Sequence, residues 1–176
     1  PAMIDLFNTM VDEMFDYGKH ILLKKRKNPE NDLLSAIANA KIEGKVLTQE
    51  FLDGSWLLIV FAGNDTTRNT MSGGIKLLHD NQDQKELLIN NPDYLPNFIN
   101  ETIRCVSPVI HMRRTSLEET EINGQRIGPY EKIALWYGAA NRDPKIFEDP
   151  DRFNILRENA DKHLAFGIGR HTCLGK

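Results

Sequence analysis

The stretch Phe166-Gly167-Ile168-Gly169-Arg170-His171-Thr172-Cys173-Leu174-Gly175 decides how the rest of the chain is read. Three glycines around one cysteine let the backbone fold tightly and approach a bulky, flat partner. Such a loop can aim peptide N–H groups at the sulfur, which lowers the thiol pKa and tunes a bound metal. His171 lies two residues before Cys173 and can reach a different part of the same ligand. Two plainer readings compete with this one, a buried structural cysteine and a zinc pair. The zinc pair supplies only two ligands, and neither Cys105 nor His163 has recognisable zinc spacing around it.

Working back from the loop, residues 141–169 are rich in Pro, Asp, Asn and Gly and predict a long irregular coil. A structureless stretch of that size inside a compact domain is uncommon and often functional. Before it, Lys132 to Tyr137 reads as a strand, and Asn123-Gly124 between Glu121-Ile122 and Arg126-Ile127 is a strong two-residue hairpin signal. The remainder is helical in texture. Residues 3–27 carry Met3, Leu6, Phe7, Met10, Met14, Phe15 and Ile21 at roughly helical spacing. Asn28-Pro29-Glu30-Asn31 breaks that helix, a second is expected from about Asp32 to Ile42, and Gly44 is read as its end. Thr48 suits an N-cap for a long helix running to about Asp80, some ~50 Å at 1.5 Å per residue. Shorter helices follow over Asp83–Asn90 and Leu95–Cys105, punctuated by Pro92, Pro96 and Pro108. The fold class is therefore mainly α with a small β portion.

Composition narrows the functional classes. A net charge of −3 over 176 residues, with both signs interspersed, gives no electrostatic case for nucleic acid or an anionic membrane. The basic run Lys24–Lys27 reads as a solvated helix end, with a docking patch as the alternative. No apolar run approaches the ~20 residues of a membrane span. Two cysteines 68 positions apart argue against a disulfide framework and suit a reducing, cytoplasmic compartment.

Two further patterns carry chemistry. In Ala62-Gly63-Asn64-Asp65-Thr66-Thr67, inside the long helix, Gly63 weakens the helix and the Thr66 hydroxyl can leave the helical ladder to serve a ligand. Asp65 is a neighbouring acid able to pass protons inward. The competing reading is a polar stripe with a small residue allowing close helix packing. In Glu101-Thr102-Ile103-Arg104 the i, i+3 spacing puts opposite charges on one helix face, either as surface decoration or as a fixed pair.

Taken together and in this order, the patterns resemble the cytochromes P450. The loop 166–175 is similar to that family's cysteine-ligand loop at every position of Phe-Gly-x-Gly-x-His-x-Cys-x-Gly. The resemblance implies that Cys173 is the axial ligand of haem b (iron protoporphyrin IX), with Phe166, Gly167 and Gly175 shaping the loop against it. It implies haem propionates held by Arg113 and His171, and an oxygen-activation role for Asp65 and Thr66. It makes Glu101 and Arg104 a structural pair completed by Arg152, with Arg157 in reserve, and it turns Leu58, Phe61, Ala62, Val109 and Ile110 toward the substrate. For Arg113 the alternative is a strand-edge charge.

The likeness is to soluble bacterial members acting on alkanes, fatty acids and terpenoids. It implies a monooxygenase using O₂ and electrons from a ferredoxin and ferredoxin reductase on an apolar small molecule, first of all at an alkane or fatty-acid-like terminal methyl. A steroid or terpenoid hydroxylase is the runner-up within the family. A non-catalytic haem-thiolate sensor or electron-transfer protein, and a non-haem helical interaction module, are the readings from other classes. Residues 1–176 are expected to be one partial domain, the C-terminal half of the fold without the segment after the cysteine loop, and inactive in isolation.

Overall fold

A computed structural model describes residues 2–176. The chain divides into two compact units, one ending at Asp65 and one spanning Thr66–Lys176. The order of elements is α1 (Ala2–Lys27), α2 (Leu33–Asn39), β1 (Lys41–Ile42), β2 (Lys45–Val46), α3 (Gln49–Asp80), α4 (Gln82–Asn90), α5 (Leu95–Val106), β3 (His111–Thr115), β4 (Thr120–Ile122), β5 (Gln125–Ile127), β6 (Lys132–Trp136) and α6 (Tyr137–Ala140). No helix among the described residues is long and apolar enough to cross a membrane.

In the first unit Leu22, Ala38, Leu47, Leu52 and Trp56 form the core. Gly18 makes it possible, because a Cβ there would sit 2.4 Å from Trp56 Cδ1. The Trp56 indole N–H donates to the Met14 carbonyl at 3.1 Å, which satisfies its one polar atom in the packed site. Lys24, Lys25, Arg26 and Lys27 fall in the last turn of α1, where positive charge complements the helix dipole. Asp32 caps α2, accepting from the Ser35 amide at 2.7 Å. The helix expected from Asp32 to Ile42 stops at Asn39, since Ala40 is already extended. Lys41–Ile42 pairs instead with Lys45–Val46, so Gly44 lies in a hairpin turn rather than at a helix end. The period-2 texture of Lys-Ile-Glu-Gly-Lys-Val carried that signal, but two-residue strands are too short to overrule helical composition on either side.

In the second unit the last turns of α3 cross α5 at Gly73 and Gly74. A Cβ on Gly73 would come within 2.5 Å of Val106 Cγ2, and one on Gly74 within 3.0 Å of Thr102 Cγ2. Helix α5 ends at Ser107, left-handed at φ 42°, whose amide donates to the Ile103 carbonyl. Strands β3 and β6 are antiparallel with His111 opposite Trp136 and Arg113 opposite Ala134. Hairpin β4–β5 turns at Asn123 and Gly124 with φ of 50° and 79°, as the dipeptide predicts. The coil after α6 is irregular apart from single 3-10 turns, yet Phe147, Phe153, Ile155, Ala160 and Ala165 are all buried there. It is core rather than surface loop, and its polar backbone must be satisfied from within.

Candidate functional site

Tight backbone geometry presents Cys173 at the end of that coil. The Gly167 amide donates to the Leu164 carbonyl at 2.8 Å, and the Cys173 amide closes the loop onto the Phe166 carbonyl at 2.9 Å. Gly167 and Gly169 take φ of 69° and 79°, a region costly for any side chain with a Cβ. Thr172 donates its hydroxyl to the Gly169 carbonyl at 2.8 Å. Cys173 is a free thiol and is exposed in this chain. A Cβ on Gly175 would lie 3.8 Å from its sulfur, so the chain passes close by without crowding it. His171 beside it is exposed.

The donor set tests which metal group could sit here. Among the described residues no cluster of three or more His, Cys, Asp or Glu could hold a metal ion. A zinc site needs about four protein donors, and this thiol has no such company. A single sulfur fits a group that brings its own equatorial ligands and asks the protein for one axial donor, as haem does.

The other predicted residues stand as follows. Arg113 and Arg114 lie side by side on β3, so strand alternation sends them to opposite faces. Arg114 donates to the Arg113 carbonyl at 3.0 Å, while His111, on the Arg113 face, stacks on Trp136 at 4.8 Å. Val109 is half-buried and Ile110 exposed in the link from α5 to β3. Leu58, Phe61 and Ala62 are exposed on α3 at i, i+3 and i+4, hence on one helix face. The helix runs unbroken through Gly63–Thr67, without the local opening that glycine allows. A Cβ on Gly63 would meet nothing within 4 Å, so close helix packing within this chain does not explain that glycine. Asp65 closes the first unit and is exposed; Thr66 opens the second, half-buried, its carbonyl accepting from the Thr70 hydroxyl at 2.8 Å.

The Glu101–Arg104 pair is far from surface decoration. Both side chains have no exposed area, and they meet through two contacts at 2.7 and 2.9 Å. Arg104 also donates to the carbonyls of Asn141 and Pro150 at 2.8 and 2.7 Å, and lies over the Phe147 ring. The third member is Arg157, and the choice of Arg152 is corrected. Arg157 reaches both Glu101 oxygens at 3.1 Å, whereas the Arg152 side chain is exposed and only its backbone carbonyl joins the network. The coil brings residue 157 back over α5, a path that spacing alone does not reveal.

Sequence reasoning missed Asn97, Gln84 and Asn141, which read the coil's backbone, and Ser107, whose hydroxyl accepts from the Asn141 side chain. Asn97 donates to the carbonyls of Ile155 and Arg157 at 2.7 and 3.0 Å, and Gln84 accepts from the Ile155 amide at 2.9 Å. Polar residues facing an irregular coil carry no periodic signal. Cys105, half-buried next to this network, is held by burial at a pKa of about 11, with the Glu101 charge acting in the same direction.

A family model described as Cytochrome P450 matches residues 2–176. Among curated relatives, the linalool 8-monooxygenase of Pseudomonas putida is 38% identical over 166 residues, covering 94% of this chain and 41% of the relative. The steroid C26-monooxygenase of Mycolicibacterium smegmatis is 39% identical over 160 residues, 91% of this chain and 40% of the relative. Among solved structures, cytochrome P450-153 from Novosphingobium aromaticivorans superposes with a TM-score of 0.88 at 38% identity, covering 99% of this chain and 43% of that one. The chain thus spans about two fifths of the length of the relatives it matches.

Proposed function

This chain belongs to the cytochrome P450 family, and on that premise we propose that the whole protein is a monooxygenase acting on an apolar substrate. One atom of O₂ enters an unactivated C–H bond, and the other leaves as water after two electrons and two protons are supplied. The observation that carries this reading is the exposed Cys173 thiol, held by its Phe166-bonded loop and lacking the company a protein-only metal site needs. Haem b, which members of the family bind, supplies the oxygen chemistry when present.

The chain's own residues have the tasks of holding that group and managing protons and water. Cys173 would hold the iron of that group through its sulfur. Arg113 and His171 offer charge-assisted donors to carboxylates of the group. Because Arg113 and Arg114 occupy opposite faces of β3, a flat group on one face meets only one of them, and Arg113 is assigned that role. The Asp65 carboxyl takes up a proton from solvent, to which it is exposed, and Thr66 holds one at its hydroxyl. Leu58, Phe61, Ala62, Val109 and Ile110 exclude water and reward apolar burial at roughly 25 cal/mol per Å². None of these five offers a charge to grip a polar end. Electrons come from a separate protein, a ferredoxin served by its reductase, and two free cysteines suit a cytoplasmic setting.

The preferred substrate is a long apolar chain attacked at a terminal methyl, an alkane or fatty-acid-like compound. A second reading, a terpenoid or steroid, is favoured by the names of the linalool and steroid C26 monooxygenases. The test begins with the full-length protein and its reduced carbon-monoxide spectrum, in parent and Cys173→Ala forms. A thiolate-type band in the parent and its loss in the variant are expected; the band's survival in Cys173→Ala would falsify the ligand assignment. Turnover of a medium-chain alkane, a fatty acid, a monoterpene and a sterol then separates the substrate readings. Best activity on the sterol or the monoterpene overturns the alkane choice.

A further inference from the structure

We propose that Asn141, with Ser107 behind it, is the positioning residue that registers the cysteine loop against helix α5. Asn141 is fully buried, yet all of its hydrogen-bonding groups are engaged except one amide hydrogen. Its amide Nδ2 donates to the Ser107 hydroxyl at 2.8 Å, and its Oδ1 accepts from the Leu164 amide at 2.6 Å. The backbone carbonyl accepts from Arg104 at 2.8 Å, and the backbone amide donates to the Tyr137 carbonyl at 2.9 Å. Ser107 is fixed in turn, since its hydroxyl donates to the Arg104 carbonyl at 2.9 Å at the left-handed end of α5.

A continuous path follows from these bonds. It runs from the Arg104 carbonyl to Ser107, across to Asn141, and on to the Leu164 amide. The Leu164 carbonyl then takes the Gly167 amide at 2.8 Å, and the Phe166 carbonyl takes the Cys173 amide at 2.9 Å. Leu164 is the last residue before the loop's tight turns whose backbone is gripped by a side chain from outside the coil segment 159–176. The Glu101 cluster grips the coil earlier, at the Asn141 carbonyl and on residues 148–157, and does not reach past residue 157. Losing the Asn141 amide therefore leaves the coil anchored and the loop unregistered. An asparagine suits the position because it must donate one way and accept the other. Aspartate has no donor for Ser107, and an apolar isostere takes the partner from the part-buried Leu164 amide and from the buried Ser107 hydroxyl together.

This inference rests on Cys173 being the haem ligand, and the experiment separates the two. Full-length Asn141→Leu, Asn141→Asp and Ser107→Ala are compared with Phe153→Leu. That control truncates a buried ring packed edge-on against Phe98 and leaves the Asn141 bonds alone. Two readouts are taken: amide hydrogen exchange at Leu164, Gly167 and Cys173, and the proportion of reduced carbonyl complex keeping thiolate ligation. Asn141→Leu should speed exchange at the three amides by about tenfold or more and enlarge the non-thiolate fraction. Ser107→Ala, which loses only the orienting bond, should do the same to a smaller extent. Phe153→Leu should change neither beyond what its global stability loss predicts. Equal effects of Asn141→Leu and Phe153→Leu at matched stability overturn the positioning role. A parent protein without a thiolate band overturns the haem assignment itself and with it this inference.

Discussion

Arg157→Met and Arg152→Met, made separately in the full-length protein, measure which arginine completes the buried cluster. Arg157 is 6% exposed and faces a carboxylate with no exposed area. Its removal deletes two contacts of 3.1 Å to Glu101 and the donors to the carbonyls of Glu148, Asp149 and Arg152. The loss is moderated, because Glu101 keeps Arg104 at 2.7 and 2.9 Å and the Asn154 amide at 3.0 Å. The Arg152 carbonyl likewise keeps Arg104 at 3.2 Å. What remains is one charge-assisted interaction, worth about 2 kcal/mol, and two carbonyls left to find other donors at about 1 kcal/mol each. A destabilisation of about 4 kcal/mol is expected, at the middle of the range for breaking a buried pair. That is a large part of the ~5–15 kcal/mol that holds a domain folded. Arg152→Met touches an exposed side chain whose backbone carbonyl survives the substitution, so it should stay within about 0.5 kcal/mol of the parent. Urea unfolding with an unchanged m-value is the assay. An Arg152→Met cost equal to that of Arg157→Met, or an Arg157→Met cost under about 1 kcal/mol, refutes the account.

Four other outcomes are open to direct measurement. Gly73→Ala should destabilise by about 1–3 kcal/mol, because its Cβ would strike Val106 Cγ2 at 2.5 Å. Gly63→Ala meets open space and should be neutral or add up to about 1 kcal/mol from helix propensity, and a large loss of stability there contradicts the geometry. Thr66→Ala should leave haem content intact while diverting reducing equivalents into peroxide; unchanged coupling of electrons to product retires its proton role. Cys105, measured in a Cys173→Ser background, should resist iodoacetamide near about pH 8, since burial pushes its thiol up to about 11. The unfolded chain gives up that proton from about pH 9. Stability should therefore be unaffected by this group below about 9 and fall as pH rises toward about 11, and a flat profile across that window in parent relative to Cys105→Ala is the contrary result.

What the sequence exposed and what it hid differ in how local the physics is. The cysteine loop was legible because its glycines, its amide closure and its sulfur lie within ten residues, so residue types and geometry coincide. Helices α3 and α5 were legible because 3.6-residue periodicity needs no partner to be recognised. Strand β3 was not, since His-Met-Arg-Arg-Thr has no apolar alternation and all five residues are exposed. Its existence depends on β6, seventeen or more residues later, and pairing at that distance leaves no mark on the strand's own composition. The Arg152 assignment failed for the same reason. Arg152 and Arg157 stand in similar local company, and the path of the coil across residues 152–157 decides which guanidinium comes back to Glu101. Asn141 shows the limit most clearly. Beside Arg142-Asp143-Pro144 it reads as one more turn former, yet its amide sits at zero exposure between the end of α5 and the start of the loop. A buried polar residue owes its role to partners 34 residues before it and 23 after it, and neither separation is written in its own segment.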